Sequence, residues 1–497
     1  MPSKRLFQML LALLMLAVSG TASRSYAQSN TDLSRDDPAP NILILIGDDI
    51  DRDSLGPWGG QAVTPNLDQL AADGMRFDNV YANVAMCAPF RQELYSGRSA
   101  WRTRAMPNHS RSLPETRSLP HYLRPLGYRV GLLGKSHVGP RECYPFDRLG
   151  ELPNQEDNNP EAIRLAKQYM VEAVEEGQPF CLVIASNDGH SPFTNGDRSI
   201  YDKNKLQIEP DAIDTDAYRD QLVAHLAEVS HLDQLLGELR EVLEDEALTE
   251  NTLVIFCSEQ GNAFPFSKWT CFDDGLSSGV VASLPGRIPE GSTCDEMFWI
   301  SDVAPTLIEA AGGHLDDMDF DGRSQWENFQ GGEKELHRFA YGAFTNCNII
   351  DNRERVFPIR SIRDSRYSLI WSPRHAEEIT SNVSLSQALT IRESSIPEST
   401  IRESSAEVGN PNTAGSWALQ ALDSEATEDD ELVARFFQRP EWALYDRSTD
   451  PEELLNLIDD PQYVDISREL KQELKSWLES HDDSDPVATE RGFVRQR

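Results

Sequence analysis

Four short, almost uninterrupted apolar runs limit most strongly what this chain can fold into: Asn41 to Ile46, Val130 to Leu133, Phe180 to Ile184 and Thr252 to Phe256. A strand with one wet face alternates polar and apolar residues. Runs without that alternation are therefore strands covered on both faces, as in a parallel sheet. Between them the pattern becomes helical, with Asn66 read as the cap before Leu67 to Ala72, Ser118 before Leu119 to Leu126, and Asn159-Pro160 before Glu161 to Glu176. A long amphipathic segment from Asp216 to Leu248 precedes the fourth run. Strands alternating with helices in this order predict a doubly wound α/β domain.

The chain opens with Lys4 and Arg5, an apolar run from Leu6 to Val18, and the small-residue end Ser25-Tyr26-Ala27. This is the layout of a secretory signal peptide cleaved near Ala27, so residues 1–27 predict a secreted or periplasmic protein. The run is shorter than the roughly 20 residues that span a bilayer, and stable membrane insertion is not expected. Residues 28–340 read as the catalytic α/β domain and 341–497 as a smaller C-terminal domain. Within the latter, residues 373–430 turn rich in Ser, Glu and Thr, and Thr390-Ile-Arg-Glu-Ser-Ser recurs as Thr400-Ile-Arg-Glu-Ser-Ser, which predicts a flexible surface insertion. A net charge of −36 argues against nucleic-acid partners and requires any anionic substrate to be captured by a local basic pocket. Seven cysteines are an odd set, so at least one is unpaired or chemically special, and the apolar settings of Cys181 and Cys257 favour buried free thiols.

Asp48 and Asp49 directly follow the first apolar run, where open α/β sheets bind ligands. Ser258-Glu259-Gln260-Gly261 follows the fourth. Two carboxylates at one strand end, with a carboxylate and an amide oxygen at another, make an oxygen-only shell suited to a hard divalent cation such as calcium.

Cys87-Ala88-Pro89-Phe90-Arg91 resembles the sulfatase signature Cys-x-Pro-Ser-Arg, with Phe90 in the place of the usual Ser. Further segments resemble the same family in the expected order. Gly134-Lys135-Ser136-His137-Val138-Gly139 is similar to Gly-Lys-x-His-x-Gly, and His190-Ser191-Pro192-Phe193 to its His-x-Pro-Phe loop. Ser258 to Gly261 with Lys268 is similar to Ser-Asp-His/Asn-Gly with its downstream lysine, although Glu259 and Gln260 are each one methylene longer than the usual residues. The tail Trp442 to Leu457 and the Pro265-Phe266 pair look like the heparan N-sulfatase branch.

The resemblance implies an alkaline-phosphatase-like doubly wound mixed sheet with a smaller C-terminal α+β domain. It also implies a sulfatase that hydrolyses sulfate esters or sulfamates of a carbohydrate. Cys87 would be oxidised to formylglycine by a dedicated maturing enzyme that reads mainly Cys, Pro and Arg. One calcium per chain would be held by Asp48, Asp49, residue 87, Glu259 and Gln260. Arg91, Lys135 and Lys268 would stabilise the negative charge of the sulfuryl group in flight. His137 would remove the proton from the second hydroxyl of the aldehyde hydrate when sulfate is expelled, and His190 with Lys268 would protonate or orient the leaving atom. The other histidines, His109 among them, have no such sequence context and read as structural. Two rival readings are a phosphomonoester or phosphodiester hydrolase of the same superfamily and a catalytically silent glycan-binding homologue.

Overall fold

A computed structural model describes residues 38–152, 159–316, 318–345, 356–376, 431–432, 434–435 and 438–495. In chain order the strands are β1 (Asn41–Ile46), β2 (Met75–Phe77), β3 (Val80–Tyr81), β4 (Arg129–Gly134), β5 (Asp147–Gly150), β6 (Phe180–Ala185) and β7 (Thr252–Cys257). They continue as β8 (Val280–Ser283), β9 (Ser292–Cys294), β10 (Phe298–Trp299), β11 (Ala340–Phe344), β12 (Ile359–Arg363), β13 (Tyr367–Trp371) and β14 (Trp442–Asp446). The central sheet has the order β5-β4-β6-β1-β7-β8-β2-β9. The four apolar runs are its four adjacent middle strands, all parallel, while β8 runs antiparallel to β7 and to β2 and makes the sheet mixed.

Every residue of β1, β6 and β7 is buried because helices cover both faces. Successive side chains of a strand point to opposite faces. Leu43 and Leu45 accordingly join one core with Leu182, Ile184, Val254 and Phe256, against the helices Asn159–Glu175 and Asp216–Asp245. Ile42, Ile44 and Ile46 join the opposite core with Val183, Leu253 and Ile255, against the helices Cys87–Ser96 and Val303–Ala310. Each such buried Leu or Ile contributes about 1.5–3 kcal/mol, so both layers are needed to hold the sheet.

Two of the cap readings meet different outcomes. Ser118 forms a reciprocal capping box with His121 before the helix Leu119–Leu123. Asn66 is not a cap: the helix Pro65–Ala72 starts earlier, with Thr64 at the cap position and Pro65 in the first turn, where its fixed φ is preorganised. The Asn66 amide instead donates to Asp233 Oδ2 at 2.9 Å.

A second, four-stranded antiparallel sheet has the order β11-β12-β13-β14. The helix Val464–Ser480 buries Leu470, Leu474 and Leu478, one stripe at four-residue spacing. Arg360 and Arg363 of β12 are fully buried, and each is paired. Arg360 Nε lies 2.5 Å from Asp483 Oδ2, which also accepts from Trp101 Nε1 at 2.8 Å. Arg363 Nη1 lies 2.7 Å from Asp273 Oδ1. Unpaired buried guanidinium groups would be strongly destabilising, so these pairs fix how the second sheet docks. Residues Ala39 to Arg497 form one compact unit.

Cys87, Cys143, Cys181, Cys257, Cys271 and Cys294 are all buried free thiols. Burial pushes the Cys181 and Cys257 thiols up to about 12, as inert core groups. Cys347, the leader at residues 1–27 and residues 377–430 of the expected insertion lie outside the described residues. Among the described residues no helix is long and apolar enough to cross a membrane.

Candidate active site

The four parallel strands end on the same edge, and each hands its chain to a chemically active segment. Gly47 after β1 donates its amide to Cys257 O of β7 at 2.9 Å, which sets Asp48 and Asp49 beside Ser258, Glu259 and Gln260. Lys135 follows β4 through Gly134, which has φ +84°. A Cβ there would sit 2.2 Å from Ala185 O, so only glycine passes. Asp188, Gly189 and His190 follow β6. Cys87 is the first residue of the helix Cys87–Ser96, which packs under the sheet edge through the fully buried Phe90 and Leu94.

These segments bring the sequence-predicted residues together. Cys87 Sγ lies 3.5 Å from Asp49 Oδ1 and 3.8 Å from Gln260 Nε2. Ligand atoms of Asp48, Asp49, Cys87 and Glu259 lie within 4.8 Å of one another. Lys135 Nζ contacts Asp48, and Lys268 Nζ contacts Asp49. Arg91 Nε is 2.6 Å from Glu259 Oε1, and its Nη1 donates to Lys135 O at 3.2 Å. The extra methylene of Glu259 thus carries its carboxylate onto Arg91. His190 Nε2 is 3.6 Å from Asp49 Oδ2.

Burial alone would raise the Asp48 carboxyl, but Lys135 and Arg91 outweigh it and hold it well below the usual range. Burial pushes Glu259 well above that range, with the charge of Asp48 adding to the effect and Arg91 opposing it. Burial, reinforced by Asp49, also raises the Cys87 thiol far above its ordinary value. An unmodified Cys87 is therefore a thiol and not a thiolate, and a poor nucleophile.

Oxygen donors at the strand ends suit a hard cation. Asp48 Oδ1 and Gln260 Oε1 are buried and have no hydrogen-bond partner among the described residues, as acceptors of a cation shell would be. Asp48, Asp49, Glu259 and Gln260 therefore fit such an ion.

The two histidines are held differently. His190 Nδ1 is 2.6 Å from Ser191 O and donates to it, which leaves Nε2 facing Asp49. His137 Nε2 is 2.8 Å from His109 Nδ1, with ring centroids 4.6 Å apart, while His137 Nδ1 is buried with no hydrogen-bond partner among the described residues. Burial, then Lys135, His109 and Arg91, depress the His137 imidazole to about 3, so it is neutral over the physiological range.

His109 is the residue that sequence reasoning missed. Its neighbour Asn108 accepts from Ala88 N at 3.4 Å, which ties the pair to the Cys87 helix. Glu228 and His231 were also missed. Glu228 accepts from Gly189 N and Asn195 N at 2.9 Å each, and His231 Nδ1 lies 3.1 Å from Asp188 Oδ2, so the Asp216 helix positions the His190 loop. A carboxylate within an apolar helix face was the available signal. Among the described residues ten non-glycine positions have positive φ, and Asp49, His109, His137, Glu259 and Trp269 are five of them. Backbone strain is therefore concentrated where side chains must converge.

Comparisons with known proteins give the family and the fold. Residues 40–313 match the model of the sulfatase family, and residues 423–480 match that of the N-sulphoglucosamine sulphohydrolase C-terminal region. An ulvan-active sulfatase of Formosa agariphila is 29% identical over 483 residues, covering 95% of this chain and 87% of that protein. Human N-sulphoglucosamine sulphohydrolase is 26% identical over 486 residues, covering 89% and 90%. Among solved structures, BT4656 in complex with its substrate D-glucosamine-2-N,6-O-disulfate superposes with a TM-score of 0.64 at 18% identity, over 90% of this chain and 99% of that one. That last likeness is one of fold, the alkaline-phosphatase-like mixed sheet with a small antiparallel C-terminal sheet.

Proposed function

The chain belongs to the sulfatase family and is a sulfuric ester hydrolase; from that premise we propose that it removes sulfate, as ester or sulfamate, from a carbohydrate, using formylglycine made from Cys87 and one bound calcium. The single observation that carries this reading is the gathering around residue 87 of Arg91 from its own helix, Lys135 beyond β4, His190 beyond β6 and Lys268 beyond β7. A sulfuryl group in transfer gathers negative charge on its oxygens, and fixed cations in a buried site oppose that charge where it develops. Formylglycine at position 87 would supply, as its hydrate, the attacking hydroxyl. Calcium would be held by Asp48, Asp49, residue 87, Glu259 and Gln260 and would supply a divalent charge there.

The side chains of this protein do the rest. Lys135, Lys268 and Arg91 bind and orient sulfate oxygens. His137, neutral and with Nδ1 unpartnered, is fit to accept a proton. His190 has Nδ1–H committed to Ser191 O and presents Nε2 beside Asp49, toward the leaving atom. Lys268 shares that task, since both reach Asp49 Oδ2. The raised Cys87 thiol supports the same reading, because it leaves the unmodified residue without nucleophilic power. The leader read in residues 1–27 supports export to a compartment where sulfated glycans are met.

The testing experiment is coexpression with a formylglycine-generating enzyme, followed by release assays on O-sulfated and N-sulfated monosaccharides, an aryl sulfate and an aryl phosphate. Sulfate release from a sugar, with phosphate ester hydrolysis far weaker, is expected. Preferential phosphate release would favour the phosphoesterase reading. No turnover by fully converted protein would favour a silent glycan binder.

A further inference from the structure

Basic residues are scarce in this chain, 46 against 82 acidic ones, yet residues 94–141 hold nine basic residues and a single acidic one, Glu115. A segment so far from the balance of the whole molecule marks a local positive field. Six of the nine spend their charge on a carboxylate: Lys135 in the catalytic cluster, and Arg98, Arg102, Arg104, Arg124 and Arg129 outside it. Arg111, Arg117 and Arg141 do not. All three are exposed, and among the described residues none of their guanidinium groups takes part in an ion pair or a hydrogen bond.

The fold gathers these three. Residues 109–118 run beside residues 137–143: His137 Nε2 is 2.8 Å from His109 Nδ1, Ser112 N donates to Gly139 O at 2.8 Å, and Ser118 Oγ donates to Cys143 O at 2.6 Å. Arg111 lies directly against the second stretch, since a Cβ on Gly139 would sit 3.3 Å from its Nε. The first stretch is also tied to the Cys87 helix through Gln92, whose Nε2 donates to Ser110 O at 3.3 Å and whose Oε1 accepts from Ser112 Oγ. Ser112 is buried between exposed Arg111 and Leu113, so the anchoring turns Arg111 to solvent. The result is a strip of unspent guanidinium groups that begins at His109 and His137, on the catalytic site. Glu115 and Glu142 are the only acids in the two stretches, and both are exposed.

We propose that this strip binds a second anionic group, sulfate or carboxylate, on a glycan whose reacting sulfate sits at residue 87. The preferred substrate is then a multiply charged oligosaccharide and not a singly sulfated monosaccharide. Guanidinium forks match both anions with paired hydrogen bonds. A long nucleic acid fits less well, because it extends past the strip into the field of a molecule of net charge −36, whereas a short glycan meets only the strip. That the anion belongs to the substrate rests on the sulfatase reading; the anion site itself does not.

Isothermal calorimetry on the full, unmatured chain in calcium tests the strip without turnover. The probes are a heparin-derived tetrasaccharide, its desulfated and N-acetylated form, which keeps only carboxylates, and neutral maltotetraose. The heparin tetrasaccharide should bind, and maltotetraose about tenfold or more weaker; Arg111→Gln and Arg141→Gln should each weaken the former about fivefold, an effect that fades as salt rises. Both variants should keep the parent melting temperature and aryl sulfate turnover. Arg124→Gln, whose guanidinium is already held 2.7 Å from Asp147, should bind as the parent does. Arginine-dependent binding of the desulfated form would show that the strip reads carboxylates, and its loss on desulfation that it reads the second sulfate. Equal binding of maltotetraose, an equal loss in Arg124→Gln, or indifference to both Arg111→Gln and Arg141→Gln would overturn the proposal. A DNA duplex that binds as tightly through the same arginines would overturn it in favour of a nucleic-acid surface. Arginine-dependent binding by matured protein that releases no sulfate would sink the sulfatase mechanism and leave the strip standing.

Discussion

The carboxylates at the strand ends are already paired within the protein, and the substitution Asp49→Asn separates this arrangement from an ordinary empty cation cage. In a cage of repelling acids, neutralising one of them in the absence of metal raises stability. Here the Asp49 and Lys268 side chains are 1% and 7% exposed, and the two are in direct contact. Gln260 Nε2 donates to the same carboxylate at 2.6 Å. Breaking a buried pair by removing one charge costs about 3–5 kcal/mol, and the Asn oxygen still accepts one hydrogen bond, so about 3 kcal/mol is expected. Unfolding entropy near 2.1 cal/mol/K per residue over the compact unit Ala39–Arg497, about 460 residues, comes to about 1 kcal/mol/K. The melting midpoint in EDTA should then fall by about 3 °C. Differential scanning calorimetry reads this directly. Lys268→Met should cause a similar fall, and the double substitution should recover part of it, because the stranded charge is gone. A rise in midpoint for Asp49→Asn in EDTA, or strictly additive losses in the double variant, would refute the pairing.

Three further outcomes follow from the same geometry. His190→Ala should slow sugar sulfates by about 10²–10⁴-fold but an activated aryl sulfate far less, because only the poor leaving group needs a proton; steady-state kinetics on both substrates decides this. His109→Phe should lower kcat with little change in KM and should raise the acidic limb of the kcat profile for His137, since His109 fixes the His137 ring and adds to its depression; an unchanged profile with normal kcat would remove His109 from the site. Glu93, a buried residue of the Cys87 helix that accepts from Asn83 N and Ala100 N at 3.1 and 2.9 Å, is raised by burial to about 8. Because its folded value lies above the unfolded one, its contribution is complete below about pH 4.5 and is lost as pH rises toward 8, so Glu93→Gln should flatten the fall in denaturant stability between pH 5 and 8.

The core of the fold was legible because both-face burial leaves an unbroken apolar run, and β4, β6, β1 and β7 carry that mark. The strands beyond β7 did not show it: β2 and β9 have three residues each and β8 has four, too short for any period to register. Site residues were legible where they follow a marked strand, as Asp48, Lys135, His190 and Glu259 do. His109 was not, since it sits in a loop and meets His137 only because both chains turn through positive φ. Glu228 and His231 lie on a helix whose apolar periodicity hid their inward polar contacts. The engagement of Glu259 with Arg91 depends on a side-chain reach of one methylene, which spacing alone does not reveal. The docking pair Arg360 and Asp483 joins residues 123 apart, beyond any local pattern.

The most direct test of the central chemistry is the mass of the peptide containing Cys87, taken from protein whose sulfate turnover has been measured in the same preparation. Loss of the thiol sulfur, gain of an aldehyde that reacts with a hydrazide, and turnover proportional to the converted fraction across partly matured samples are expected. Full turnover from protein whose Cys87 is wholly an unmodified thiol would contradict the mechanism outright.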